Sequence, residues 1–139
     1  MDILTLADQI AQEAHKGQRD KGGRPYINHP RYVAKCVDGV FFKAAALLHD
    51  VIEDSDFIVD DLRNRGIPDS VVTAVEVLTK KKGEPYNEYL SRISYNEIAK
   101  TVKIFDLKHN SDLSRIEHPD ENDLARLNKY QRALEFLLN

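Results

Sequence analysis

Tryptophan is absent from this chain, and cysteine and methionine occur once each. The single thiol, Cys36, excludes an internal disulfide and fits a reducing cytosol, so a cytoplasmic protein is expected. No apolar run reaches the roughly 18 residues that a membrane-spanning helix needs. The opening Met1-Asp2-Ile3-Leu4 lacks a basic stretch leading into an apolar segment, so no secretory signal is expected. A basic excess is also missing. The net charge is −3, which argues against stable nucleic-acid binding. A small anionic ligand is compatible with that balance, because a metal and a few local Lys or Arg residues reverse the sign inside one pocket. Strand alternation, internal repeats and low-complexity tracts are missing as well.

What is present suffices for one domain. The 139 residues are 42% hydrophobic and 31% charged, which suits a single all-α domain over 1–139 with a core that needs no cross-link. Ile3, Leu6, Ile10 and Ala14 recur at a helical period, with Asp2 as N-cap and Gly17 as the stop. A charged loop containing Gly22-Gly23 and Pro25 follows. Pro30 fits the first turn of a second helix, to about Val37, and leaves His29 just before that helix. Asp38-Gly39 breaks it. A third helix is expected from about Phe41 to Ser55, and a short one over Asp60 to Arg65, closed by Gly66. The next starts at Pro68-Asp69 and carries Val71, Val72, Val75, Val77 and Leu78. Lys80-Lys81-Lys82 reads as a solvated basic loop, and Tyr86 to Ile93 as a short helix. Helices over Asn96 to Leu113 and Leu124 to Leu138 complete a compact bundle of six to eight helices.

Ionisable residues concentrate in His49-Asp50-Val51-Ile52-Glu53-Asp54, directly after the apolar run Ala44-Ala45-Ala46-Leu47-Leu48. At about 100° per residue, His49 and Glu53 share one helical face, as do Asp50 and Asp54. A solvated acidic helix end would account for this segment taken alone. Burying an unpaired carboxylate is costly, however, so acidity on a helix that is apolar along its other side asks for a cation. Asp106 makes the same demand, because it follows Val102-Lys103-Ile104-Phe105, and Asn110 shares its face four residues on. With His29, these residues form a mixed imidazole and carboxylate set: His29, His49, Asp50 and Asp106. Those donor types suit Mn, Fe or Zn better than Ca or Mg. A metal so held acidifies water and polarises a phosphoryl oxygen, which is hydrolytic chemistry.

The pattern resembles the HD-domain phosphohydrolases, whose His-Asp pair is His49-Asp50 here. More narrowly it is similar to the alarmone hydrolases: the hydrolase domain of Rel/Spo proteins and the small stand-alone alarmone hydrolases. Four ordered blocks carry the likeness. They are Ala14-His15-Lys16-Gly17-Gln18, Pro25-Tyr26-Ile27-Asn28-His29-Pro30, Ala45 to Ser55, and Val102 to Asn110. The resemblance implies a manganese-dependent removal of the 3′-pyrophosphate from guanosine tetra- or pentaphosphate. It also implies that His29, His49, Asp50 and Asp106 hold the metal while Glu53 and Asp54 position or deprotonate the attacking water. Asn110 matches a residue near the sugar or phosphate, and Lys21 a phosphate contact of the loop before Tyr26. Arg19, Tyr26 and Lys103 are further candidates for substrate binding.

Three features depart from that family's pattern. Asp20 stands where an arginine that stacks on guanine is usual, with Arg19 one place early. Leu107-Lys108 inverts the usual order of a basic and an apolar residue, and Asp112 stands where an arginine is common. An adenine alarmone, NADPH or a deoxynucleotide therefore stays open as the substrate, as does a nucleotide-binding module without catalysis. Because the sequence stops at Asn139 with no synthetase domain after it, a one-way hydrolase is expected. Oligomeric state is left open, a homo-oligomer included.

Overall fold

A computed structural model describes residues 1–139, and all of its regular structure is helical. In order these are α1 (Ile3–Ala14), α2 (Asn28–Cys36), α3 (Val40–Leu48), α4 (Val51–Asp54), α5 (Val59–Asn64), α6 (Asp69–Leu78), α7 (Tyr86–Ser94), α8 (Glu97–Asn110), a 3-10 turn (Leu113–Arg115) and α9 (Glu121–Leu138). Counting the one-turn α4 with α3 gives eight helices, as expected from the apolar periodicity. The only strand-like pairing is an isolated antiparallel bridge between Arg19 and Pro25, which closes the charged loop on itself.

Local chemistry sets the helix ends. Asp2 accepts from the Thr5 amide at 2.8 Å, Asn96 from Ala99 at 2.9 Å, and Asp120 from Asp123 at 2.9 Å, each supplying a first-turn amide with an acceptor. Gly17, at φ +79°, takes the left-handed conformation that turns the chain after α1. One helix start differs from the expectation. α2 begins at Asn28, so His29 lies inside its first turn rather than ahead of it, and is buried. Pro30 is tolerated there because amides of the first turn have no intrahelical acceptor.

The helix expected from Phe41 to Ser55 is also interrupted, at His49-Asp50. The carbonyl of Ala46 accepts from His49 Nδ1 at 2.6 Å, so a side chain competes for the acceptor that the helical ladder would use. The ladder resumes with the Asp54 amide on the Asp50 carbonyl at 3.0 Å.

α3 is the central element, packed against α1, α2, α6 and α8. Ala44, Ala45, Ala46, Leu47 and Leu48 are all buried, and the three alanines let the surrounding helices approach closely. Truncating a core side chain such as Leu48 to alanine would cost about 2–5 kcal/mol. α8 in turn packs on α2, α3, α6, α7 and α9. The helices α2, α3 and α8 are thus mutual neighbours, and they bring His29, His49 and Asp106 into one place. No helix is long and apolar enough to cross a membrane.

Candidate active site

His29, His49, Asp50 and Asp106 each aim one donor atom at a common point, and those four atoms lie within 4.8 Å of one another. Asp106 Oδ1 is 2.8 Å from His29 Nε2 and 3.2 Å from His49 Nε2. Asp50 Oδ2 is 3.0 Å from His49 Nε2 and 3.8 Å from His29 Nε2. Both histidines and Asp106 are buried. Burial opposes protonation of His49, yet Asp50 and Asp106 raise its pKa well above the usual imidazole range. Burial likewise works against ionised Asp50, but the neighbouring His49 holds that carboxyl at about 2. The cluster favours positive charge at its centre, and its two imidazole nitrogens and two carboxylate oxygens could hold a metal ion.

A surrounding shell orients these donors. His49 Nδ1 donates to the Ala46 carbonyl, which turns Nε2 toward the cluster, where a bound metal would take the place of its proton. His29 Nδ1 meets His109 Nδ1 at 2.7 Å, with the two rings parallel to within 5°. Tyr26 donates from its hydroxyl to Asp50 Oδ2 at 2.5 Å. Burial and the Asp50 charge raise the Tyr26 pKa, so it stays a phenol donor. On α8, Lys103 donates to Asp106 Oδ2 at 3.0 Å and Asn110 to Oδ1 at 3.0 Å. Burial opposes the charge on Lys103, but Asp106 raises its pKa well above the ordinary amine range and keeps the ammonium.

Glu53 and Asp54 close α4, about one turn beyond His49 and Asp50, with their carboxyl groups partly shielded from water. Glu53 Oε1 accepts from the Lys80 amide at 2.6 Å. Burial raises its pKa, with the Asp50 charge adding to the effect. Asp54 rises to about 6, through burial and then the charges of Asp50 and Glu53. A carboxylate of that basicity near a cation is suited to accept a proton from water.

A cleft of about 370 Å³ opens next to the cluster. Tyr26 and Asn110 line it and also touch Asp50 and Asp106, so one layer of side chains separates the cleft from the cluster. Arg19, Lys21, Asp20, Arg115 and Arg126 form much of the rest of the wall. Lys103 is not in that lining; its ammonium is engaged by Asp106 and sits 5.4 Å from the Tyr89 ring centroid. Lys21 Nζ bonds Asp123 Oδ1 at 2.7 Å, and Arg126 contacts the same carboxylate. Asp20, at the departure in the loop, faces Arg115, with Nη2 3.5 Å from Oδ2.

His109, Arg115, Asp123 and Arg126 were outside the sequence-based set. His109 had a signal, since it lies three residues after Asp106, one helical turn along. The other three come from the chain beyond α8 and depend on how the 3-10 turn and α9 fold back over the loop.

No family model matches the chain. MESH1 of Danio rerio, a guanosine-3′,5′-bis(diphosphate) 3′-pyrophosphohydrolase by name, is 33% identical over 129 residues, covering 81% of this chain and 70% of its own length. The chain belongs to the MESH1 family. The human MESH1 protein gives a similar match, 34% over 128 residues. A GTP pyrophosphokinase of Streptomyces coelicolor is 34% identical over 105 residues, and there the match covers 73% of this chain but only 11% of the relative. A solved structure of a metazoan ortholog of SpoT superposes with a TM-score of 0.81 at 24% identity, covering 100% of this chain and 86% of that one. That likeness establishes a shared fold. The kinship read from the His49-Asp50 pair and its neighbouring blocks thus agrees with the relatives that MESH1 represents.

Proposed function

We propose that this chain is a metal-dependent hydrolase that removes the 3′-pyrophosphate from guanosine 3′,5′-bis(diphosphate) or its pentaphosphate analogue, releasing GDP or GTP. One observation carries this reading. A largely buried two-histidine, two-aspartate cluster adjoins, through Tyr26 and Asn110, a cleft walled by Arg19, Lys21, Arg115 and Arg126, and Glu53 and Asp54 of raised pKa follow it in α4. The membership of the MESH1 family supports the same chemistry and the same substrate class.

His29, His49, Asp50 and Asp106 would hold manganese, with iron or zinc fitting the same donor types. When bound, a divalent ion supplies charge neutralisation for the reacting phosphoryl group and acidity for water. Glu53 and Asp54 accept the proton of the attacking water, whose oxygen bonds to the phosphorus attached to O3′. The O3′–P bond breaks and O3′ takes up a proton, so nucleotide and pyrophosphate leave with atoms balanced. Lys21, Arg19, Asn110 and Tyr26 line the space that the nucleotide would occupy, and Arg115 and Arg126 add positive charge there. Lys103 acts through Asp106, keeping that carboxylate ionised. The reducing cytosol suits such a nucleotide enzyme.

Asp20 favours a second reading, in which a different nucleotide is cleaved: ppApp at its 3′-diphosphate, NADPH at its 2′-phosphate, or a deoxynucleotide. Incubation of the manganese-loaded protein with ppGpp, ppApp, NADPH and deoxynucleotides decides between them. Pyrophosphate release from ppGpp ahead of the others is the expected result. Absence of pyrophosphate from ppGpp, with metal bound, would overturn the proposal, and orthophosphate from NADPH in its place would favour the second reading.

A further inference from the structure

The block Ala14-His15-Lys16-Gly17-Gln18 has no part in the site as described, yet it contains a buried histidine whose Nε2 has no hydrogen-bond partner. Gln18 Nε2 donates to the Asp54 carbonyl at 2.7 Å and to the Ala14 carbonyl at 3.2 Å. Both amide hydrogens are thereby used, and Oε1 is left to accept from His15 Nδ1 at 2.8 Å. That fixes the His15 proton on Nδ1 and leaves Nε2 a bare acceptor. A buried acceptor without a donor is a cost that packing alone does not explain.

The same ring braces a second arm. It packs 4.9 Å from the Tyr26 ring, and Tyr26 donates to Asp50 Oδ2. His15 thus stands behind two groups, Gln18 on the Asp54 carbonyl and Tyr26 on the Asp50 carboxylate. α4 needs such support, because a helix of four residues has too few internal bonds to hold its own orientation. Its last carbonyl has no intrahelical donor, and Gln18, 36 residues away in sequence, supplies one.

We propose that His15 and Gln18 are positioning residues that hold Asp54 in register with the donor cluster. This rests on the reading of Asp54 as a carboxylate that handles the attacking water. A displacement of about 1 Å at such a group is enough to slow a reaction by up to about 100-fold without touching the substrate contacts.

Steady-state release of pyrophosphate from ppGpp by the manganese-loaded full chain tests this, together with manganese affinity by calorimetry and the thermal midpoint. Gln18→Met is expected to lower kcat by about tenfold or more, with KM and manganese affinity within about twofold of the parent. His15→Asn, whose amide can donate in place of Nδ1–H, is expected to retain more kcat than His15→Phe. The double variant His15→Phe/Gln18→Met is expected to be no slower than Gln18→Met, since the phenyl ring keeps the packing on Tyr26 and both changes break the one chain that runs through Gln18 to Asp54. If Gln18→Met does not fold, Gln18→Glu keeps the shape and the acceptor for His15 while removing both donors, and the same kcat loss is required of it. An unchanged kcat in a folded Gln18 variant overturns the proposal, as does a kcat loss matched by lost manganese affinity. Equal activity of His15→Asn and His15→Phe overturns the part given to His15. Asp54→Asn is measured in parallel. Full activity there removes the role of Asp54 itself, whereas a slow Asp54→Asn beside an unimpaired Gln18 variant removes only the positioning role.

Discussion

His29 and His109 face each other through their Nδ1 atoms at 2.7 Å, their rings parallel to within 5° and meeting edge to edge. For His29 to offer a lone pair at Nε2, its proton must sit on Nδ1 and His109 must accept it. Burial and the charge of Arg115 push the His109 pKa down to about 4, which keeps that ring neutral and able to accept. His109→Phe preserves an aromatic ring against Tyr32, 4.1 Å away, but removes the acceptor. Manganese affinity is expected to fall by about 10–100-fold, the usual cost of losing an outer partner of a ligating histidine. Titration calorimetry of the folded variant reads this directly, and unchanged affinity would deny His109 that role.

Gly22 lies where the loop meets the 3-10 turn, and a Cβ there would come within 2.5 Å of the Arg115 carbonyl oxygen. Backbone cannot yield as a long side chain does, so Gly22→Ala forces the loop and the turn apart. A loss of about 1–3 kcal/mol in stability is expected. Since Arg19, Lys21 and Arg115 line the same cleft, KM for ppGpp should rise more than kcat falls. Urea denaturation and steady-state kinetics provide the two measurements. A Gly22→Ala protein with parental values in both would show that the close approach does not constrain the cleft.

These two cases also mark what the sequence made legible. The helical periods in α1, α6 and α8 and the cap at Asp2 are local properties, and they could be read from spacing alone. So could the demand of Asp106 for a cation, because an aspartate inside an apolar helical run is costly wherever the chain goes. The break at His49-Asp50 could not, since it depends on the His49 ring turning back to the Ala46 carbonyl. Contacts between distant segments were equally hidden. Lys21 and Asp123 are 102 residues apart, and Gln18 and Asp54 are 36 apart. Neither pair leaves a pattern in a window of one helix. Asp20 looked like a lost cation in isolation, whereas in the fold Arg115 stands opposite it.

Asp123 yields a prediction about pH. Lys21, the Asp120 amide and Arg126 gather around this buried carboxylate, and the bond from Lys21 leads in holding its pKa well below the ordinary carboxylate range. The folded state therefore binds a proton there less readily than the unfolded chain does. Its stabilising contribution is complete above the unfolded value of about 4 and is lost as pH falls below it. Asp123→Asn should lower the urea midpoint at neutral pH and give a shallower fall between about pH 5 and pH 3 than the parent. Parallel pH dependences in the two proteins would remove Asp123 as a source of acid sensitivity.

Glu53→Gln separates the handling of water from the binding of metal. The substituted amide keeps the length of the side chain and an oxygen able to accept from the Lys80 amide, so the end of α4 retains that tie. What disappears is the charge and with it the ability to take a proton. Turnover of ppGpp is expected to fall by about 100-fold or more, in the range typical of a lost general base. Manganese affinity should remain near parental, because His29, His49, Asp50 and Asp106 supply the converging donor atoms without Glu53. If metal and activity are lost together, Glu53 belongs with the ligands. If activity persists, proton acceptance falls to Asp54, the neighbouring carboxylate whose pKa of about 6 suits it to that task.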